Sequence, residues 1–426
     1  MVDVFDRLVG QRDVVDELRA AASGALTAAR RLAERPSGTG SMLSVDAGQS
    51  GDLAAADRAS MTHSWLFTGP PGSGRSVAAE CFAAALQCHS EAGLGCGECR
   101  ACATVMNRTH ADVRHVVPQG LSLGAAEVRE LVQTAARLPA TGRWHIIVVE
   151  DADRLTEAAA NALLKVVEEP PARTVFLLCA PSVDPEDISV TLKSRCRHVA
   201  LAIAPTADIE RVLVERDGVD PANAAWAASV CGGHIGRAKR LATDQGAREQ
   251  RLTALGLARA ATVPARAYAA AEELVHSAEA AAKAISAERD ARELEELMTA
   301  FGAGGTGRGT ARVMRGSAGA IKDLEKRQKS RATRTARDVL DLALMDLAGL
   351  FRDALVVSAG ARVTAMHPDQ ADQVIGLAGY ASSAQLLTCV DAVLECREVL
   401  DHNVKPKFAL DAMVAKIGQS LARGGA

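Results

Sequence analysis

The sequence predicts an α/β protein, with a parallel sheet covered by helices in its first half and an all-helical region in its second. Between His63 and Ala180, short apolar segments alternate with helical segments of about 10 to 15 residues, which is typical of βαβ units and a parallel sheet buried on both faces. From about Arg248 to the end, the pattern is helical throughout. Aromatic residues make up only 3% of the 426 residues, so the helices must bury mainly small and aliphatic side chains.

The individual elements follow from the same pattern. Residues 1–30 are expected to be helical, and residues 36–60, rich in Gly, Ser and Ala, are expected to be a flexible insert. The predicted strands lie in HSWLFTG, VRHVVP, HIIVVED and TVFLLCA, and helices are predicted through Cys88, from Ala125 to Leu138, from Glu157 to Glu168 and across 205–241. A glycine-rich break at 301–310 interrupts the helical second half. We predict three domains: 1–204, 205–247 and 248–426.

Composition excludes several classes of protein. The net charge of -3 gives no overall attraction to nucleic acid or to an anionic membrane. The start of the chain lacks the basic and apolar regions of a signal peptide, and no apolar run approaches the length of a membrane span. We therefore expect a cytoplasmic protein without membrane contact.

The stretch GPPGSGRS, Gly69 to Ser76, resembles a phosphate-binding loop, and it lies between a predicted strand and a predicted helix. In that context, backbone N–H groups and the helix N-terminus point at phosphates. The candidate nucleotide-binding residues here are Gly69, Gly72, Gly74, Arg75 and Ser76. Arg75 stands where the motif has lysine, and its longer planar fork differs in geometry from an ammonium group. The alternative is a Gly-Pro turn with no ligand.

Two acids, Glu150 and Asp151, follow the predicted strand HIIVV and should lie at the carboxyl edge of the sheet beside this loop. There, one acid would hold Mg²⁺ if a nucleotide binds, and the next would polarise the attacking water. The usual order is Asp then Glu, so the pair is inverted. A solvated strand end is the alternative interpretation.

Four cysteines, Cys88, Cys96, Cys99 and Cys102, have the spacing C-x7-C-x2-C-x2-C. Close C-x2-C pairs let thiolates converge on one tetrahedral ion, so residues 88–102 predict a structural Zn²⁺ site. The alternatives are a redox pair or buried thiols. The other six cysteines are scattered and are expected to fill the core.

Several segments together make residues 1–245 resemble the clamp-loader subunits of bacterial DNA polymerase III, which are AAA+ proteins. These segments are VGQ near the start, the loop, the cysteine module, ALLKVVEEPP and SRC. The resemblance implies an AAA+ domain with an inserted zinc knot (1–204), a helical lid (205–247) and a helical collar (248–426). It also implies tau/gamma and delta subunits as partners, with the sliding clamp and primer-template DNA reached through the complex.

The resemblance is closest to the delta prime type, a stator whose own nucleotide site is degenerate, rather than to the tau/gamma ATPases. Arg75 and the inverted acids depart from the active pattern, and Ala180 falls where the family has a sensor threonine. The second sensor arginine falls on Gly236, with Arg237 displaced by one residue. ATP or ADP binding stays possible, but efficient hydrolysis is not expected.

Arg195 of SRC, by contrast, is intact. In both subunit types, this arginine is a finger that enters a neighbouring subunit's ATP site. The resemblance therefore implies a catalytic role in trans for Arg195, and an ordinary surface ion pair is the alternative. Two other functions are weighed: an active tau/gamma-like ATPase, and a stand-alone nucleotide kinase, which would not explain the cysteines or SRC.

The segment 308–337 carries ten Lys or Arg against two acids. A basic helix face can neutralise phosphates. It can equally be a solvated helix, since no aromatic side chain lies among the charges to stack on bases.

Overall fold

A computed structural model describes residues 3–34, 62–90, 94–118, 120–171, 173–300, 310–402 and 404–422. The expected insert at 36–60 and most of the glycine-rich break at 301–310 lie outside these residues. The chain folds into two compact units: residues 1–118, 122–216 and 233–237 form the first, and residues 119–121, 217–232 and 238–426 form the second. The division into three domains stays a prediction.

The first unit contains a five-stranded parallel sheet. Its strands are β1 (Ser64–Thr68), β2 (Val113–Val116), β3 (His145–Val149), β4 (Thr174–Ala180) and β5 (Arg197–Ala200). The strand order is β2-β3-β4-β1-β5, and all four pairings are parallel. The predicted α/β class with a parallel sheet is thus confirmed.

Helices cover both faces of this sheet. The helices that lie wholly in the first unit are α1 (Arg12–Glu34), α2 (Arg75–Gln87), α3 (Arg100–Met106), α4 (Ala125–Ala135), α5 (Glu157–Glu168), α6 (Val190–Lys193) and α7 (Thr206–Glu215). Alternate strand residues point to opposite faces, so Trp65 and Phe67 pack in one buried cluster with α1, α2 and α3. Leu66 and Phe176 pack in the other cluster with α4 and α5. This arrangement explains why the strands read as continuous apolar runs.

Two predicted boundaries are wrong. Residues 1–30 do not form one helix, because Gly10 has φ 73° and separates a 3-10 turn at Val4–Arg7 from α1. The helix α4 ends at Ala135 rather than Leu138. Pro139 explains the second difference, because the residue before a proline avoids the helical conformation. The predicted helix Glu157–Glu168 is confirmed at both ends.

Among the described residues of the second unit, all regular elements are helices. Its helices are α8 (Pro221–Val230), α9 (Ile235–Thr243, which begins in the first unit), α10 (Gln245–Ala260), α11 (Pro264–Ala300), α12 (Thr310–Ser358), α13 (Ala371–Tyr380), α14 (Ser383–Asp401) and α15 (Pro406–Ala422). A single buried cluster of mostly Ala and Leu side chains holds α10 to α15 together. The predicted helical second half is confirmed.

Most of the basic segment 308–337 lies in α12, and its described charges are partly used within the protein. Arg331 pairs with Asp290 and Glu293 of α11, and the Arg337 guanidinium donates to the backbone oxygens of Leu400 and Val404. Lys322, Lys326 and Lys329 are exposed. Contact of this segment with DNA stays a prediction.

Within the described ranges, no single helix is long and apolar enough to cross a membrane. One pair of helices, Pro368–Tyr380 with Ser383–Leu400, passes the same test of length and composition together but is bent by 119°.

Candidate functional site

The predicted phosphate loop joins β1 to α2, as its motif requires. Gly74 caps α2 in the left-handed region at φ 92°, where its carbonyl accepts the Ala78 N–H at 2.8 Å. Gly72 has φ 86°, and a Cβ on it would lie 2.4 Å from the Cβ of His234. Both positions therefore need glycine, Gly74 for its backbone conformation and Gly72 for that and for close packing. His234 covers the loop at this point.

Two polar side-chain atoms of the loop are buried without a hydrogen-bond partner among the described residues. They are the Ser73 hydroxyl and the Arg75 Nη1 atom. Buried donors are rarely left unpaired, because an unsatisfied polar group costs about 1–3 kcal/mol. A phosphate group placed at the loop would accept from both. Burial and the charges of Arg237 and Arg75 also lower the pKa of His234, so its imidazole stays neutral beside these cations.

The two predicted acids follow β3 at the carboxyl edge of the sheet. The Glu150 N–H donates to the Val116 oxygen at 2.9 Å, and Asp151 adopts left-handed backbone angles. Burial raises the pKa of Glu150, but His115, Arg108 and Ser76 together lower it by a larger amount, so the net shift is downward. Ser76 and Glu150 thus lie together, as the motif predicts.

Sequence reasoning missed three residues around Glu150. Arg108 forms ion pairs with Glu80 and Glu150, and His115 Nδ1 lies 3.9 Å from Glu80 Oε1 and 3.8 Å from Glu150 Oε1. Glu80 lies one helical turn after Ser76, on the same face of α2. That spacing was a readable signal for Glu80, whereas nothing in the sequence pointed to Arg108 or His115.

The four predicted cysteines form one cluster, with all four sulfur atoms within 4.8 Å of one another. The N–H groups of Cys99 and Cys102 point at the sulfurs of Cys96 and Cys99, at 3.3 and 3.4 Å. Burial raises the pKa of Cys99, but hydrogen bonds from the Cys102 N–H and other groups lower it by a larger amount, so the net pKa is about 7. Four thiols at this separation suit one tetrahedral Zn²⁺ with small inward shifts. His89 is exposed and lies outside the cluster.

Arg195 follows α6, at the surface. Its Nε donates to Glu168 Oε1 at 2.6 Å, and its Nη1 donates to the Thr191 oxygen at 3.0 Å and to the Ser194 hydroxyl at 3.2 Å. The side chain is 33% exposed. Glu168 ends the helix of the ALLKVVEEPP segment, so two motifs that are separate in the sequence meet here.

The two predicted sensor positions are occupied by Ala180 and Gly236, which have no polar side chain. Ala180 ends β4, fully buried opposite Thr68 of β1. It has no hydroxyl group with which to contact a phosphate. Gly236 lies in the first turn of α9, next to Arg237. The roles assigned to these residues and to the loop, the acids, the cysteines and Arg195 stay predictions.

Comparison with known proteins concerns mainly the first unit. Residues 53–204 match the family described as DNA polymerase III, delta subunit. The delta' subunit of Pseudomonas aeruginosa is 36% identical over 198 residues, which are 46% of this chain and 60% of that protein. The resemblance to a delta-prime-like clamp-loader subunit is confirmed. The delta' subunit of Escherichia coli is 38% identical over 146 residues, 34% of this chain and 43% of that protein.

The gamma/tau subunit of Mycobacterium tuberculosis is also similar, at 31% identity over 170 residues, 39% of this chain and 29% of that protein. The chain thus spans between 29% and 60% of the lengths of these curated relatives. The relatives support a clamp-loader subunit of either kind, delta' or gamma/tau.

Proposed function

We propose that this chain is a delta-prime-like stator of a DNA polymerase III clamp loader, which helps to load the sliding clamp onto primed DNA in the cytoplasm. Its direct partners would be tau/gamma and delta subunits. The observation that carries the proposal is a surface Arg195 in SRC on a chain whose own loop has Arg75 in place of lysine. A guanidinium presented at the surface can serve a phosphate held by another chain.

Arg195 has to leave an intramolecular partner before it can act in trans. In the free chain it is paired with Glu168, whose side chain is 46% exposed. Exposed ion pairs contribute little free energy, so exchanging Glu168 for a phosphate costs little. The fork of the guanidinium can then bond two phosphate oxygens and stabilise charge that develops during transfer.

Three features support a loop that does not hydrolyse ATP. Arg75 differs in shape from the usual lysine, Glu150 is already engaged by Arg108 at 3.0 Å, and Ala180 lacks a hydroxyl. Since these defects are independent, Arg75→Lys alone should not restore turnover. The loop would then be a retained scaffold that still holds ATP or ADP.

The cysteine cluster would hold one structural Zn²⁺. Zinc supplies no chemistry to the loader in this proposal. Its ligands tie the end of α2, through Cys88, to α3, through Cys102, and thereby fix the segment that leads into β2.

Reconstitution with the other loader subunits tests the trans role. Arg195→Ala should assemble into the same loader complex as wild type but slow ATP hydrolysis at the neighbouring site by about 10³ or more. Total turnover should fall only partly, because other interfaces carry their own fingers. Arg195→Lys should act like the alanine variant, since a point charge lacks the fork.

Arg211→Ala is the matched control, because Arg211 is another exposed arginine of the first unit, paired with Asp208. It should leave turnover unchanged. Assembled Arg195 variants with wild-type ATPase and clamp-loading rates would show that Arg195 is only a surface ion-pair residue.

The second candidate is an active tau/gamma-like ATPase, favoured by the similarity to the mycobacterial gamma/tau subunit. Steady-state ATP turnover by the purified chain separates the two. The stator proposal expects negligible turnover, whereas robust turnover would establish the motor.

A further inference from the structure

A second group of metal-ligating side chains lies beside the loop. We call Glu80, His115 and Glu150 the acid–histidine cluster. Their ligand atoms lie within 4.8 Å of one another, although they come from α2, from β2 and from the residue after β3. The His115 side chain is 9% exposed, and neither ring nitrogen has a hydrogen-bond partner among the described residues. An imidazole buried in this way is an available ligand.

Arg108 reaches into this cluster from the segment between α3 and β2. It follows α3 with its N–H bonded to the Val105 oxygen, and it adopts φ 57°. That conformation is uncommon for a residue with a side chain and costs free energy. Its Nη2 atom contacts Glu80 and lies 3.0 Å from Glu150 Oε1. One cationic atom thus bridges the two carboxylate oxygens that His115 also approaches.

We propose that Arg108 is a tethered cation that takes the place of a divalent ion between Glu80 and Glu150, so that the loop binds a nucleoside di- or triphosphate without Mg²⁺. This inference rests on the proposed function only in treating the loop as a degenerate nucleotide site. It is tested on the isolated full chain, so it can fail while the loader still assembles and Arg195 still acts.

The charges near the loop explain how this arrangement works. An unpaired carboxylate at Glu150 would repel a phosphate group, and in most nucleotide sites a divalent ion removes that repulsion by binding both. Arg108 pairs with both Glu80 and Glu150, so its single positive charge offsets one of the two carboxylate charges from within the chain. The Ser73 hydroxyl and Arg75 Nη1 supply donors that are buried and unpartnered among the described residues. In this proposal a phosphate would meet these donors beside a pair of carboxylates whose repulsion Arg108 has reduced without an added ion.

The chemistry of the cluster also predicts what happens when Arg108 is removed. Two carboxylates and one imidazole form a ligand set that suits Mn²⁺ or another divalent transition ion. In the wild-type chain, such an ion would have to displace a guanidinium attached to the same protein. Without Arg108, the three ligands are free to bind it.

Binding of Mn²⁺ tests whether Arg108 keeps a divalent ion out of the acid–histidine cluster. It is measured by electron paramagnetic resonance on zinc-loaded protein, in buffer from which free metal ions have been removed. Arg108→Gln should bind one Mn²⁺ at least about tenfold more tightly than wild type, and the added change His115→Phe should abolish the gain. Arg108→Lys keeps a tethered cation and should resemble wild type. Arg100→Ala, at an exposed arginine of α3, is the control and should also resemble wild type.

Titration with ADP, with and without Mg²⁺, tests whether the loop binds a nucleotide without a divalent ion. Wild type should bind ADP equally in both conditions, whereas Arg108→Gln should lose about tenfold in affinity without the ion. Circular dichroism checks that each variant is folded. Wild-type Mn²⁺ binding as tight as that of Arg108→Gln would overturn the tethered cation. A Mg²⁺ requirement in wild type, or no ADP binding at millimolar concentration, would overturn the ion-independent loop.

Discussion

The cysteine cluster and the acid–histidine cluster both gather metal-ligating atoms within 4.8 Å, but they are built in different ways. The four cysteines lie within residues 88–102, on a short segment whose local turns bring them together. Glu80, His115 and Glu150 are far apart in the chain and meet only because β2 pairs with β3 and α2 packs on the sheet. Local spacing made the first cluster predictable, whereas the second depends on tertiary packing.

The two clusters also differ in how their charge is compensated. At the cysteines, backbone N–H groups point at the sulfur atoms of Cys96 and Cys99, and hydrogen bonds lower the pKa of Cys99. At the acids, a guanidinium is already in place. If the proposals above are right, a similar gathering of ligand atoms would serve opposite functions, a metal site at the cysteines and a site that excludes metal at the acids. Arg108 links them, because it follows the helix that carries Cys102.

Among the changes that test this comparison, replacement of one of the four cysteines is expected to have the largest effect on metal content and stability. Cys99→Ser should reduce bound zinc well below one ion per chain and lower the free energy of unfolding by about 3 kcal/mol or more, because binding a structural metal contributes directly to folding. Metal analysis and thermal unfolding measure both. Cys196→Ser, at a half-buried thiol outside the cluster, should keep its zinc.

Full zinc content and unchanged stability in Cys99→Ser would mean that the cysteines are not a four-ligand site. The two clusters would then not differ in metal binding as we infer.

A second expected effect concerns Asp112, which lies between the cysteine module and the strand of His115. Its carboxylate accepts the N–H groups of Ala140, Thr141 and Gly142 at 2.6 to 2.8 Å, and also the Thr141 hydroxyl. Asp112→Ala leaves these donors unpaired and should lower the free energy of unfolding by about 3 kcal/mol. Urea unfolding measures the change.

The same residue gives a pH dependence. Burial raises the pKa of Asp112, but the four hydrogen bonds lower it by a larger amount, so the pKa falls from 3.8 to about 2. The folded state therefore binds this proton less readily than the unfolded state, so the contribution of Asp112 is present above about pH 4 and is lost as the pH falls toward 2. Asp112→Asn should flatten the stability profile in that window. Asp184→Asn, at an exposed aspartate, should not.

The smallest expected effect is at His115. Because neither ring nitrogen has a hydrogen-bond partner among the described residues, His115→Phe removes no such bond and should change the free energy of unfolding by less than about 1 kcal/mol. Thermal unfolding of the zinc-loaded protein measures it. A loss of several kcal/mol would indicate that His115 holds an ion or a hydrogen bond in solution, and the acid–histidine cluster would then resemble the cysteine cluster.

Much of the fold could be predicted, because its signals are periodic and local. The apolar runs of β1, β3 and β4 and the helix Glu157–Glu168 follow from the spacing of apolar residues. The break at Gly10 and the early end of α4 were missed, because single Gly and Pro residues shift boundaries without changing the pattern. The pairing of Arg195 with Glu168 was also missed, since it joins two motifs only in the folded chain.

The loop between β1 and α2 and the cysteine cluster could be predicted from the sequence alone, because the residues of each are neighbours in the chain and their geometry follows from short-range spacing. The sequence also placed Glu150 and Asp151 at the sheet edge, since parallel strands end on one side. The partners of Glu150, by contrast, depend on how the chain folds. Arg108, Glu80 and His115 lie on separate elements, and ion pairs depend on distance in space, which no pattern along the chain specifies.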